Sequence, residues 1–215
     1  MDRATEIASL GATARQAFED KHQAREVTIA ASRKAIQACA ASIRATHRGE
    51  YDNAEQLARE AREHVFEADE ALVGHPDVRT SGPLYDAKKE LAEAWLTLAL
   101  VRDQPLPAPD ELKLDIAPYC NGLAEAASEL RRQLLDQLRA GELGRAEQLM
   151  SAMDEIYSLL VTVDYPDGVT GGLRRTTDAL RAVLERTRGD LTTAMVAARL
   201  QGAIESAQRA AGDEH

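Results

Sequence analysis

Apolar positions recur three and four residues apart along most of the chain, and strand-like alternation is nearly absent. Between Asp2 and Thr46, Ile7, Leu10, Ala14, Phe18, Val27, Ile36 and Ile43 keep this spacing. They predict one unusually long helix or two nearly continuous ones, ended by "HRGEYD". A second helix is predicted from Tyr51 to Val73, stopped by "GHPDVRTSGP"; a third carries "KKELAEAWLTLALV", Lys88 to Val101, and stops at "DQPLPAPDE". A fourth spans Pro118 to Ala140 and a fifth Leu143 to Val163; after "DYPDGVTGG" a last long helix runs from Leu173 to Ala211. About six helices with short connections imply an all-α, mostly antiparallel bundle, one domain over residues 1–215. The long first and last helices cannot bury their apolar stripes fully against such a bundle, so a homo-oligomer is expected.

Composition narrows the function classes. With 215 residues, 44% of them hydrophobic, the chain can build a sizeable core, and an aromatic content of only 4% fits helices rich in Ala and Leu. Cys39 and Cys120 fall inside predicted helices without a CxxC spacing, so neither a disulfide framework nor a zinc site is expected and a reduced cytoplasm fits. "MDRATEIASL" has no basic region followed by an apolar core, and no run reaches the ~18 apolar residues of a membrane span. A soluble, unprocessed protein without a membrane partner is the expectation. The net charge of -10 argues against a generic DNA-coating protein and confines nucleic-acid contact to patches.

Two stretches, "RGEYDNAEQL" at Arg48 and "AGELGRAEQL" at Ala140, look like copies of a tetratricopeptide unit, but nothing repeats at the ~34-residue period such arrays require. They read instead as helix stops, with Gly49 and Gly141 in the left-handed position that ends a helix.

Candidate chemistry rests on carboxylates. Only Glu19 with His22 has the Glu-x-x-His spacing of a di-iron bundle, which needs two such units, and "GVTGG" is not a phosphate loop. At 100° per residue, Asp86, Glu90, Glu93 and Thr97 fall within a stripe of ~60° on the third helix, while Leu84, Leu91, Trp95 and Leu98 make its apolar face. The fourth helix repeats the pattern with Glu125, Glu129, Arg132 and Asp136 against Leu123, Leu130, Leu134 and Leu138, so the two acidic stripes can converge along one seam. A Glu pair at i, i+3 is usually a solvated edge. Several carboxylates within ~6 Å, in contrast, must share protons or hold a hard ion such as Mg2+ or Mn2+, which suits phosphodiester hydrolysis. Basic residues that could meet a phosphate backbone are Arg44, His47 and Arg48, Lys88 and Lys89, Arg131 and Arg132, and Arg174 and Arg175, although ion pairing and solubility also account for such residues.

The runs "IRATHRGEYDNAEQLAREARE", "YCNGLAEAASELRRQLLDQLRAGELGRAEQL", "MDEIYSLLVTVDYPDGVTGGLRR" and "VLERTRGDLTTA" resemble the archaeal and bacterial branch of the translin family, from about Ile43 to Ala194. The resemblance implies an all-α fold assembled into a closed, hollow oligomer that binds single-stranded RNA or DNA. In the catalytic branch, typified by translin-associated factor X, a Glu-x-x-Glu pair and an acid in a "GxAD" segment form a metal-dependent endoribonuclease site. The pair falls on Glu90 and Glu93, the third position on Glu125, and Glu129 aligns with a further family acid. Glu125 replaces the family Asp and moves its carboxylate by ~1.5 Å, a shift that bears more on catalysis than on binding.

The resulting expectation is a Mg2+- or Mn2+-dependent endoribonuclease acting on single-stranded RNA, with Glu90, Glu93, Glu125 and Glu129 as the catalytic and metal-binding set. The alternatives are a non-catalytic shell for RNA or single-stranded DNA, and a helical scaffold.

Overall fold

α1 (Arg3–His47) is one continuous helix of 45 residues in the computed structural model, which describes residues 2–75, 77 and 82–212. Gly49 follows it at φ 76°, so "RGE" reverses the chain as expected. α2 (Tyr51–Ala71) returns antiparallel along α1: Ser42 Oγ donates to the Ala54 carbonyl at 2.7 Å and Thr28 Oγ1 to that of Ala68 at 3.2 Å. Residues 76 and 78–81 of the expected "GHPDVRTSGP" stop lie outside the described residues.

α3 (Pro83–Val101) opens with a proline in its first turn, where the missing N–H has no helical partner to lose. A single turn, α4 (Pro109–Leu112), precedes α5 (Ile116–Ala140), which ends at Gly141 with φ 81°. α6 (Leu143–Val161), a second single turn α7 (Asp167–Thr170) and α8 (Leu173–Gly212) complete the chain. The six predicted long helices are present, and no strand occurs among the described residues. The two extra turns escaped the periodicity reading because four residues cannot display a 3.6-residue period.

The α1–α2 hairpin packs on α3, α3 on α5, and α5 on both α6 and α8. One hydrophobic cluster runs through all of these layers, with Leu91, Leu96, Leu130, Leu134, Leu149, Met153, Leu160 and Leu180 fully buried. Each such side chain contributes about 2 kcal/mol of transfer free energy. α8 runs parallel to α5, with Thr176 beside Asn121 and Thr187 beside Arg131, and antiparallel to α6, with Arg188 on Asp154 and Arg174 on Asp164.

Asn121 is the polar hub of this junction. Its side-chain amide donates to the Ala117 and Thr170 carbonyls at 2.9 and 2.8 Å and to Tyr85 Oη at 3.0 Å, and its oxygen accepts from Thr176 Oγ1 at 2.7 Å. One buried side chain thereby joins α3, α5, α7 and α8.

Both terminal helices outrun the bundle. Burial on α1 begins at Thr28, and the last buried residue of α8 is Leu191. Beyond those points Ile7, Leu10 and Phe18 on α1, and Val196, Leu200 and Ile204 on α8, are exposed, Phe18 to 71% and Leu200 to 62%. Among the described residues no helix is long and apolar enough to cross a membrane.

Candidate metal centre

Gly122 sets the distance between α3 and α5. A Cβ at this position would lie 2.5 Å from the Lys89 carbonyl oxygen, 2.6 Å from Ala92 Cβ and 2.9 Å from the Glu93 amide nitrogen. No side chain fits, so the two backbones touch there, and Glu125, one turn further along α5, is brought to the acidic stripe of α3.

Glu90, Glu93 and Glu125 converge as a result. One carboxylate oxygen from each lies within 4.8 Å of the other two. Glu93 is buried, 8% exposed, whereas Glu90 and Glu125 are half-buried. Burial, followed by the charges of Glu90 and Glu125 and a hydrogen bond to Glu125, pushes the Glu93 pKa up to about 9. Burial also raises that of Glu90, against the opposing pull of Lys89. The metal-free cluster therefore keeps a proton on Glu93 at neutral pH, since burial and then the neighbouring carboxylates disfavour its charged form.

Lys89 Nζ donates to Glu125 Oε1 at 2.9 Å and lies 3.7 Å from Glu90 Oε1. Burial alone would lower the Lys89 pKa; Glu125 and Glu90 reverse that effect and raise it. Behind the cluster sits the Cys39 thiol of α1, whose pKa is driven upward by burial and then by the charges of Glu90 and Glu93. Three carboxylate oxygens so close together could hold a hard divalent cation, and the Lys89 ammonium is a cation standing at two of the three carboxylates.

Glu129, one turn beyond Glu125, stands outside this trio. Its Oε2 accepts from Nε2 of His47 at 2.7 Å, and the His47 side chain is only 2% exposed while that of Glu129 is 38% exposed. Nδ1 of His47 and Oγ1 of Thr97 are buried and have no hydrogen-bond partner among the described residues.

The chain matches known structures along nearly its whole folded part. A structure of an AfC3PO–duplex RNA complex is 31% identical and superposes at a TM-score of 0.78, covering 86% of this chain and 96% of that one. The crystal structure of AfC3PO alone gives the same TM-score at 30% identity. An uncharacterised protein of Methanocaldococcus jannaschii is 30% identical over 176 residues, 81% of this chain and 78% of the relative. The chain belongs to the translin/C3PO-like family. NeC3PO, at 18% identity and a TM-score of 0.74, shares the fold. No protein-family model matches the chain.

Within this translin-like frame the basic residues singled out in the sequence divide into distinct groups. Lys88 and His47 depart from the expectation of phosphate contacts. Lys88 is buried, with its ammonium 3.2 Å from Asp69 and 3.0 Å from Asp115, so that it ties α3 to the end of α2 and the start of α5. His47 is buried against Glu129. The burial of both was not legible in the sequence, because helical periodicity identifies a face without stating which neighbour covers it.

Arg48 is exposed but engaged with Glu50 through two hydrogen bonds, at 2.6 and 2.8 Å, and Arg131 pairs with Asp190 at 2.7 Å. Arg44 and Arg132 are exposed, as are Arg174 and Arg175 at the start of α8. Arg131, Arg132 and Arg139 line, with Glu129 and Asp136, an open groove of about 450 Å3 on α5 that begins beside the candidate centre. Gly122 was missed in the sequence, although a glycine inside a helical pattern signals a close backbone approach.

Proposed function

We propose that this translin-like protein is an RNA-binding homo-oligomer that cuts RNA with a divalent cation, Mg2+ or Mn2+, held by Glu90, Glu93 and Glu125. The observation that carries the reading is the convergence of three carboxylates, one of them buried, next to an arginine-lined groove. A buried acid whose pKa is raised by burial and by neighbouring carboxylates supports a functional-site reading.

When bound, the cation supplies an acidified water and offsets charge on the phosphate oxygens. The residues of the chain supply the rest. Glu90, Glu93 and Glu125 would hold the cation, Glu93 as a carboxylate having lost its proton to solvent, with Glu90 and Glu125 on the more exposed side of the cluster. Glu129, oriented by His47 and outside the trio, is the carboxylate free to accept a proton from the attacking water. Arg132 and Arg139 along the groove, with Arg44 at the end of α1, offer cations to the phosphate backbone.

AfC3PO has been solved with duplex RNA, which supports RNA as the ligand class here. Single-stranded RNA is the proposed substrate, with loose base preference, because few aromatics are available for base readout. Assembly would use the two exposed apolar stripes at the ends of α1 and α8.

Labelled single-stranded and duplex RNA, incubated with Mg2+ or Mn2+, with EDTA, and with a Glu90→Ala/Glu93→Ala variant that still assembles, test the proposal. Cleavage of the single strand that is lost in both controls supports it. Binding without cleavage in either metal favours the second reading, a non-catalytic shell, in which Lys89 permanently neutralises the carboxylates.

A further inference from the structure

Lys88 and Lys89 are neighbours on α3 with different employment. Lys88 is buried between Asp69 and Asp115 and holds three helices together. Among the described residues, the ammonium of Lys89 pairs with Glu125 and Glu90, two of the three carboxylates of the candidate metal centre. Its bond to Glu125 crosses from α3 to α5, so the one link Lys89 makes between helices among the described residues runs through the cluster itself.

Among the described residues, the other ionisable groups that act on Glu90 and Glu93 are the acids Asp86 and Glu129, the latter bonded to His47. Lys89 is thus the cation that the metal-free cluster has at hand. A Mg2+-sized ion held by these carboxylates would sit about 2.0–2.1 Å from their oxygens. With Lys89 Nζ already at 2.9 Å from Glu125 and 3.7 Å from Glu90, the two cations would compete for the same oxygens at a separation where they repel strongly. The Lys89 side chain is 21% exposed, at the rim of the cluster, and its flexible four-carbon stem gives the ammonium solvent to move into.

We propose that Lys89 is the resident counter-cation of the carboxylate cluster, and that a divalent ion enters only as the Lys89 ammonium withdraws from Glu90 and Glu125. The inference rests on the metal-binding part of the proposed function but not on RNA cleavage. Lys89 then sets how much divalent ion the protein needs, and a metal-poor protein remains folded with its carboxylates neutralised from within.

Calorimetric titration of the full-length protein with Mn2+, comparing wild type, Lys89→Gln and Lys89→Arg, tests it, together with a crystal structure of the wild-type Mn2+ complex. Lys89→Gln is expected to bind Mn2+ about tenfold more tightly, the ion no longer having to break a charge-assisted hydrogen bond. Lys89→Arg, which keeps the charge, is expected to remain as weak as wild type, and in the crystal Lys89 Nζ should have left hydrogen-bonding distance of Glu125. Equal affinity of wild type and Lys89→Gln, or Nζ still bonded to Glu125 beside a bound ion, overturns the inference while leaving the metal site standing. Tightening in both variants overturns it as well, since loss of fit rather than of charge would be responsible. If neither wild type nor Lys89→Gln takes up Mn2+ at millimolar concentration, the inference and the metal site fall together. Tight binding by Lys89→Gln with no RNA cleavage by any form upholds the inference and removes the nuclease reading alone.

Discussion

Gly122 of α5 lies so close to Glu93 of α3 that a Cβ on the glycine would stand 2.9 Å from the Glu93 amide nitrogen. The candidate centre depends on this approach, because it brings Glu125 within reach of a side chain buried in the interior of the bundle. Gly122→Ala has no room on any side: the other near atoms are the Lys89 carbonyl oxygen and Ala92 Cβ. The helices must separate, at a cost of about 1–3 kcal/mol in urea unfolding. Mn2+ affinity should fall with stability. A Gly122→Ala protein with wild-type stability and metal binding would show that the helices do not need to touch here.

Glu93 makes the metal-free protein sensitive to pH. Its folded pKa, about 9, lies above the ordinary value of 4.5, so across that window the folded state retains a proton that the unfolded state has lost. Stability should decrease as pH rises from about 4.5 to about 9 and level off above. Glu93→Gln, which keeps the shape and cannot ionise, should remove that slope and raise the melting temperature of the metal-free protein at pH 8, a gain of about 1–3 kcal/mol. Melting curves of both proteins in EDTA between pH 5 and 9 provide the check. Added Mn2+ should stabilise wild type and not Glu93→Gln, since a ligand stabilises only the form that binds it.

His47 and Arg132 predict opposite effects on RNA binding. His47 is buried against Glu129, and Arg132 is exposed on the groove beside it. His47→Gln, whose amide can replace Nε2 as a donor to Glu129, should leave RNA affinity unchanged and preserve most cleavage. His47→Leu should lower kcat about tenfold or more with little change in KM. Arg132→Ala should weaken binding severalfold and reduce the salt dependence by about one phosphate contact. Fluorescence anisotropy of a labelled oligonucleotide across a salt series separates these outcomes; a loss of affinity in His47→Gln would return His47 to the phosphate-contacting set.

Asn121 satisfies four polar groups from four helices with one side chain. Asn121→Ala should cost about 2–4 kcal/mol, because it opens a cavity and leaves the Thr170 carbonyl and the Thr176 hydroxyl without their partner. Asn121→Asp should be worse, since it sets a carboxylate against the Ala117 and Thr170 carbonyl oxygens. Denaturant midpoints measure both.

The exposed stripes on α1 and α8 should hold the assembly together. Leu10→Asp/Phe18→Asp is expected to lower the mass measured by light scattering while far-ultraviolet circular dichroism and the Mn2+ affinity persist, because these residues lie beyond the packed part of α1. A monomeric wild type at micromolar concentration would remove assembly from the proposal.

Helix positions were legible from periodicity alone, because burial of one stripe per helix is a local requirement that every long segment must satisfy. The six long helices, the reversals at Gly49 and Gly141 and the grouping of Glu90 with Glu93 on one face are of this kind. What one helix does to another is not local. Whether a charged side chain faces water or a buried partner depends on which helix covers its stripe, so Lys88 and His47, indistinguishable in sequence from surface cations, turned inward on Asp69, Asp115 and Glu129. The sequence allowed the acidic stripes of Glu90, Glu93 and Glu125 to converge, but how closely they meet, and the placement of Lys89 among them, were decided only where Gly122 lets two backbones touch.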